Sequence, residues 1–350
     1  MKSKKKILFF LPSFAGGGAE KVTITFINNI PLEEYEVHLA VLNGKGKLKK
    51  LLNKNIIYHN LNTIRLRYSI FKIIFKILFL RSKIIFSTFI NINIFLLFLK
   101  IFLPKMRLMI RAESVPSTHF AFLPYRSFYK FCYEKLYKSS DILIASCNII
   151  KKEFIENGAK LENIQLVPNP VEDLINLNDN DKKRHPGTGI RIVAAGRLTN
   201  QKGYDYLLEV LSKVETEIHC TILGEGELEG ELKNLAKDLN ILERVKFEGY
   251  VDNPYPYLNG ADALVITSNF EGLPNIALES LSLGTPVIST PNCGGLIELK
   301  NAKIFQKGEP FINAINNIKI NINSNKTTLL DDRFNVNNVM NKFILTLNKF

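Results

Sequence analysis

Ala261-Asp-Ala-Leu-Val-Ile-Thr267 is a short apolar run bounded by turn residues, the pattern of a parallel strand buried on both faces. Ile276, Ala277, Leu278, Leu281 and Leu283 follow as a mostly apolar helix, and Gly284-Thr-Pro-Val-Ile-Ser-Thr290 reads as a turn and a second buried strand. Strand, helix and strand in this order make a β–α–β unit, which commits this part of the chain to an open α/β sheet. Ligands of such sheets bind outside the carboxyl ends of the strands.

The loop at that end is Ser268-Asn-Phe-Glu-Gly-Leu-Pro-Asn-Ile-Ala-Leu-Glu279, with two carboxylates, Glu271 and Glu279, around the start of the helix. Gly272 and Pro274 suit a turn and a first helical turn. Backbone N–H groups from about Asn275 to Leu278 are expected to be free beside Glu271, and such a helix start favours anions. The plainer reading is a helix-capping or salt-bridged Glu271 and a solvated Glu279.

A second anion signature tips the balance. In Ala194-Ala-Gly-Arg-Leu-Thr-Asn-Gln-Lys-Gly203 a strand, Arg191 to Ala195, exits at Gly196, and a helix begins at Tyr204. Arg197 and Lys202 then stand on the loop at the carboxyl end. Two cations there suit a diphosphate through charge-assisted bonds.

These motifs, with Ile222-Leu-Gly-Glu-Gly-Glu-Leu228, Asn253-Pro-Tyr-Pro-Tyr257 and Ala261-Asp262, follow one another from about residue 190 to 300. In that order they resemble the retaining glycosyltransferase family 4, whose Glu-x7-Glu element is the most specific piece. The resemblance implies an α/β fold of GT-B architecture: two Rossmann-like domains facing across a cleft, with the nucleotide sugar on the C-terminal one and no metal or other cofactor. It assigns Arg197 and Lys202 to the donor diphosphate, Glu271 to the transferred sugar and Glu279 to the ribose. Leu273, Pro274, Asn275 and Ile276 would line sugar and phosphate, with Gly196 at the same loop.

The amino-terminal part is less specific. Lys5-Lys-Ile-Leu-Phe-Phe-Leu11 reads as a strand, and Gly16-Gly-Gly-Ala-Glu-Lys21 as a glycine turn leading into a helix. The basic, Phe-rich start imitates a signal peptide, but the apolar run is short and Pro12 interrupts it. The turn is not a dinucleotide fingerprint, since Lys occupies position 21. By resemblance, Gly17 and Gly18 face the donor, and Glu20, Arg111 and Glu113 form the acceptor side. His119 reads as a surface histidine. Cys132, Cys147, Cys220 and Cys293 are scattered without a metal spacing, which fits a reducing compartment.

The chain has 350 residues and a formal charge of +13. Between Val37 and Ala112 there is no Asp or Glu, against 15 Lys and Arg. Helical patterns over Tyr68–Arg81 and Tyr125–Lys138 mix aromatic and basic residues, as helices lying on an anionic membrane do. The alternative for the first is a Rossmann helix packed on its sheet. Ile84 to Leu99 is too short and too polar for a span; it reads as a strand, Ile84–Phe86, and a helix, Phe95–Phe102.

The domains expected are 1–172, an acceptor and membrane-facing half; a polar linker, 173–188; 189–330, the donor half; and a C-terminal helix, 331–350, crossing back to the first domain. The combined reading is a retaining hexosyl- or N-acetylhexosaminyltransferase at the cytoplasmic face of the inner membrane. It would carry a sugar from a UDP-sugar to a polyprenyl-diphosphate-linked glycan, in bacterial surface-glycan or glycoprotein-glycan assembly. Two alternatives are a sugar-nucleotide epimerase on the same fold and a non-catalytic basic protein binding membrane or nucleic acid. Nucleic-acid motifs are missing, so no nucleic-acid partner is expected.

Overall fold

The computed structural model describes residues 4–172, 174, 183, 188–320 and 327–350. They form two compact units, one of Met1–Pro170 with Val336–Phe350 and the other of Val171–Asn335. The segment read as a linker, 173–188, lies almost wholly outside the described residues.

The first unit holds β1 (Lys5–Ser13), α1 (Gly18–Asn28), β2 (Tyr35–Asn43), β3 (Ile57–Asn60), α2 (Ile70–Leu80), β4 (Ile84–Ser87), α3 (Ile90–Phe102), β5 (Arg107–Ala112), α4 (Pro116–Ala121), α5 (Arg126–Leu136), β6 (Ile142–Ala145), α6 (Asn148–Glu156) and β7 (Ile164–Leu166). The strands are parallel in the order β3-β2-β1-β4-β5-β6-β7. β1, the run that imitates a signal sequence, is central, and Ile7 to Leu11 are fully buried.

The second unit holds β8 (Ile190–Ala195), α7 (Tyr204–Lys213), β9 (Ile218–Leu223), α8 (Glu229–Asp238), β10 (Val245–Gly249), α9 (Tyr255–Gly260), β11 (Ala263–Ile266), α10 (Asn275–Ser282), β12 (Val287–Ser289), β13 (Ala302–Ile304) and α11 (Glu309–Asn316). Its parallel sheet runs β10-β9-β8-β11-β12-β13. Both sheets therefore reverse direction at one point, between β1 and β4 in one unit and between β8 and β11 in the other. This is the doubly wound, Rossmann-like order, and its switch point is where such sheets open for a ligand.

The last helix, α12 (Val336–Leu347), belongs to the first unit. Its Val339, Met340, Phe343 and Leu347 are buried with Phe9, Phe26 and Phe86. Phe343 stacks on Phe26 at 4.5 Å between ring centroids, and Tyr35 Oη donates to Asn348 Oδ1 at 2.7 Å.

Element limits differ from the sequence reading where local chemistry intervenes. α2 ends before Arg81, whose φ of 50° is left-handed. α3 begins at Ile90, before the expected Phe95, so Asn91 and Asn93 lie inside it. Asn93 is tolerated in a buried position because it meets the Tyr137 hydroxyl.

Candidate functional site

In the second unit, the two segments singled out by sequence are the exits of β8 and β11, the strands that flank the switch point. Hydrogen bonds tie them together. Asn269 N–H donates to Gln201 O at 2.7 Å, Asn269 Nδ2 to Asn200 O at 2.6 Å, and Gln201 Nε2 to Phe270 O at 3.2 Å. Thr267 Oγ1 donates to Lys202 O at 3.1 Å. The β12 exit joins the same arrangement, with Glu271 N–H donating to Asn292 O and Gly295 N–H to Gly272 O.

Lys202 Nζ donates to Glu271 Oε1 at 2.5 Å, and Ser268 Oγ donates to the same oxygen at 3.3 Å. The pair is mostly shielded from water, with side-chain exposures of 21% and 13%. Lys202 reaches the carboxylate by crossing Gly196. A Cβ built there would lie 2.5 Å from Lys202 Cε, and the φ of +150° already disfavours a side chain. Gly203, at φ +61°, lets α7 start against the carbonyl of Thr267. Tyr204 Oη donates to Gly196 O at 3.2 Å.

Arg197 differs from Lys202. It is exposed on the same loop, and among the described residues its side chain makes no hydrogen bond or ion pair. Of the two expected diphosphate cations, one is thus committed to a carboxylate and one is open to solvent.

α10 begins at Asn275 with Pro274 as its N-cap. Fewer of its N–H groups face outward than expected. Ala277 and Leu278 both direct their N–H groups to Pro274 O, at 3.1 and 3.5 Å, because the extended Pro274 carbonyl closes the first turn. Leu273 and Pro274 are buried, so their backbone rather than their side chains would meet a ligand; Asn275 and Ile276 are half-buried. Glu279 is 7% exposed, which removes the solvated-face reading for it.

Cys293 lies beneath this loop, its backbone bridged to Glu271. Burial, and then the Glu271 charge, push its thiol up to about 12. The Tyr204 hydroxyl is raised as well, first by burial and then by Cys220 and Glu271. Among the described residues, no three His, Cys, Asp or Glu side chains are grouped to hold a metal.

In the first unit, Gly17 is the N-cap of α1 and Gly18 its first residue, at the exit of β1. Glu20 is buried. Arg111 is 1% exposed: Nη1 donates to Glu113 Oε1, Nη2 donates to Asn169 Oδ1 at 2.5 Å, and the guanidinium sits 5.4 Å from the Phe26 ring centroid. Thr88 Oγ1 also donates to Glu113 Oε1, at 2.8 Å. Arg111 therefore faces the interior, and Glu113 is the more accessible member. His119 is half-buried, with Nδ1 3.1 Å from Ser114 Oγ.

Sequence reasoning passed over Ser268, Thr88, Asn169 and Tyr204. The first three follow a strand end within three residues. That position, more than residue type, is the signal that finds them.

Residues 176–315 match the family model described as glycosyl transferases group 1. Among curated relatives, the N-acetylgalactosamine-N,N'-diacetylbacillosaminyl-diphospho-undecaprenol 4-alpha-N-acetylgalactosaminyltransferase of Campylobacter jejuni is 27% identical over 310 residues, covering 84% of this chain and 83% of its own. The lipopolysaccharide core biosynthesis glycosyltransferase LpsE of Rhizobium meliloti is 35% identical over 116 residues, covering 33% and 34%. Among solved structures, Anabaena HepE in complex with UDP and glucose superposes with a TM-score of 0.78 at 18% identity, covering 99% of this chain and 100% of its own. The lipopolysaccharide glycosyltransferase WaaG gives 0.66 at 14%, covering 97% and 95%. With both sheets in Rossmann order, the chain has the GT-B fold, and its second unit carries the stretch that matches the glycosyl transferases group 1 model.

Proposed function

We propose that the chain is a retaining transferase that moves a hexose or N-acetylhexosamine from a UDP-sugar to a polyprenyl-diphosphate-linked glycan in bacterial surface-glycan or glycoprotein-glycan assembly. The observation that carries the reading is the meeting of the β8 and β11 exits, which pairs Lys202 of the loop that bears Arg197 with Glu271 of the loop that leads into α10. The name of the Campylobacter jejuni relative, an N-acetylgalactosaminyltransferase acting on a diphospho-undecaprenol, supports this acceptor class, and that of the Rhizobium meliloti relative, a lipopolysaccharide core enzyme, supports surface-glycan assembly. The bound UDP of HepE supports the donor class.

In this account Arg197 meets the leaving diphosphate, and the α10 start adds its dipole. As the sugar–phosphate bond breaks, negative charge grows on the diphosphate and positive charge on the sugar ring. Fixed cations stabilise the first, and Glu271 the second. Lys202 stands between both and orients Glu271. Glu279 holds the ribose hydroxyls. The protein's own cations serve the diphosphate without a metal. Glu113 takes the acceptor side with Glu20, Arg111 acts as its positioning partner, and the Gly17–Gly18 turn is assigned to the donor. The enzyme works at the cytoplasmic face of the inner membrane.

The test is a turnover assay with UDP-sugars and a polyprenyl-diphosphate glycan, following UDP release and the anomeric configuration of the product. Release that requires the acceptor, with retained configuration, supports the reading. Acceptor-independent conversion of the donor would favour an epimerase.

A further inference from the structure

One layer of the first unit has an unusual outer surface. α2 carries the chain from β3 to β4, α3 from β4 to β5, and α4 with α5 from β5 to β6. All three crossovers run in the same direction along the sheet, so right-handed connections place them on one face. α1 runs the opposite way and shares the other face with α12, as the Phe26–Phe343 stack requires. α3 and α5 are joined by Tyr129 Oη donating to Asn91 Oδ1 at 2.7 Å.

The outer side of α2 is aromatic. Phe71, Phe75 and Phe79 are 86%, 62% and 68% exposed, and the last two stack on each other at 5.6 Å. Its inner side, Ile73, Ile77 and Leu80, is buried. The two lysines of this helix bond back toward the end of β3: Lys72, itself exposed, donates from Nζ to Leu61 O at 2.6 Å, and the half-buried Lys76 has its Nζ 3.2 Å from His59 Nδ1. Further exposed cations stand at the helix ends. Arg65 and Arg67 precede it, and Arg81 and Lys83 follow, all exposed. α5 repeats the mixture with exposed Phe128 and Phe131 among Arg126, Lys130 and Lys135.

We infer that the outer face of α2, flanked by these arginines and extended by α5, docks on an anionic lipid bilayer, with Phe71, Phe75 and Phe79 entering the headgroup boundary. This deepens the proposed action on a lipid-linked acceptor and rests on that reading only for its purpose. Charge complementarity selects the occupant. A stretch without a carboxylate from Val37 to Ala112 repels a second copy presenting the same face and attracts a negative surface. Rings in the boundary with cations beside them is the arrangement of an interfacial helix.

The experiment is co-sedimentation of the full chain with phosphatidylcholine vesicles, with and without phosphatidylglycerol, at low and high salt. Wild type is expected to bind the anionic vesicles and to be released by salt. F71S/F75S/F79S should bind about tenfold more weakly or worse, with unchanged melting, since these side chains are exposed. R65Q/R67Q/R81Q/K83Q should lose the dependence on anionic lipid. No binding by wild type, or equal binding by the aromatic variant, overturns the proposal. So does loss of self-association instead of vesicle binding in that variant, or preference of wild type for an acidic polypeptide over vesicles. UDP-sugar binding, measured on the same proteins, reads the donor assignment separately.

Discussion

Lys202 Nζ lies 2.5 Å from Glu271 Oε1 and joins the loops that leave the two strands at the switch point. Removing either partner leaves the other charged, largely buried and uncompensated. K202M and E271Q are each expected to lower turnover by about tenfold to thousandfold. The double variant should lose much less than the product of the two. Turnover and melting of the four proteins measure the coupling; independent, multiplicative losses would mean that the pair does not act as a unit.

Gly196 gives Lys202 its path. G196A would push a methyl group into the Lys202 side chain, 2.5 Å from Cε. We expect turnover to fall about tenfold or more as Glu271 loses its partner, while circular dichroism keeps the native signal. Wild-type turnover in G196A would show that Lys202 has another route.

A histidine relay ties α2 to the sheet. Lys76 can only donate, so His59 accepts at Nδ1 and donates from Nε2 to His38 Nδ1 at 3.0 Å, and His38 Nε2–H donates to Glu36 Oε1 at 2.8 Å. A proton added to His59 has no acceptor and faces the ammonium. Burial first, then Lys76 and His38, lower His59 from 6.5 to about 4. The unfolded chain thus takes a proton that the folded chain refuses. This contribution to stability is complete above about pH 6.5 and is lost as pH falls toward 4. H59N should flatten the melting temperature over that window; an unchanged slope would remove His59 as its source.

Cys220 and Cys293 are buried, and burial pushes both thiols up to about 12. Neither is expected to react with a thiol reagent at pH 8 until the second unit unfolds. Labelling of Cys293 in the native protein, read by mass spectrometry, would show that the loop above it opens.

Much of this was legible in the sequence because parallel strands are buried on both faces and announce themselves as short apolar runs. β1, β5, β8 and β11 are such runs. The strand-exit position of Glu271 and Lys202 followed from them. Their ion pair did not, since residues 69 positions apart meet only through the sheet order. Arg111 was misjudged for a related reason. A charged residue at a strand end reads as ligand-facing, yet its partners, Asn169 and Phe26, come from distant segments. The bonds that hold Lys72 and Lys76 were hidden likewise, because their acceptors lie on and just after β3.

The central claim is that the second unit binds a UDP-sugar through its own side chains. Thermal stabilisation against a panel of UDP- and GDP-sugars in EDTA tests it most directly. The account predicts a selective rise in melting temperature with a UDP-sugar, reduced in R197A and abolished in E279A. No shift with any nucleotide sugar, or a shift that needs added metal, would contradict it.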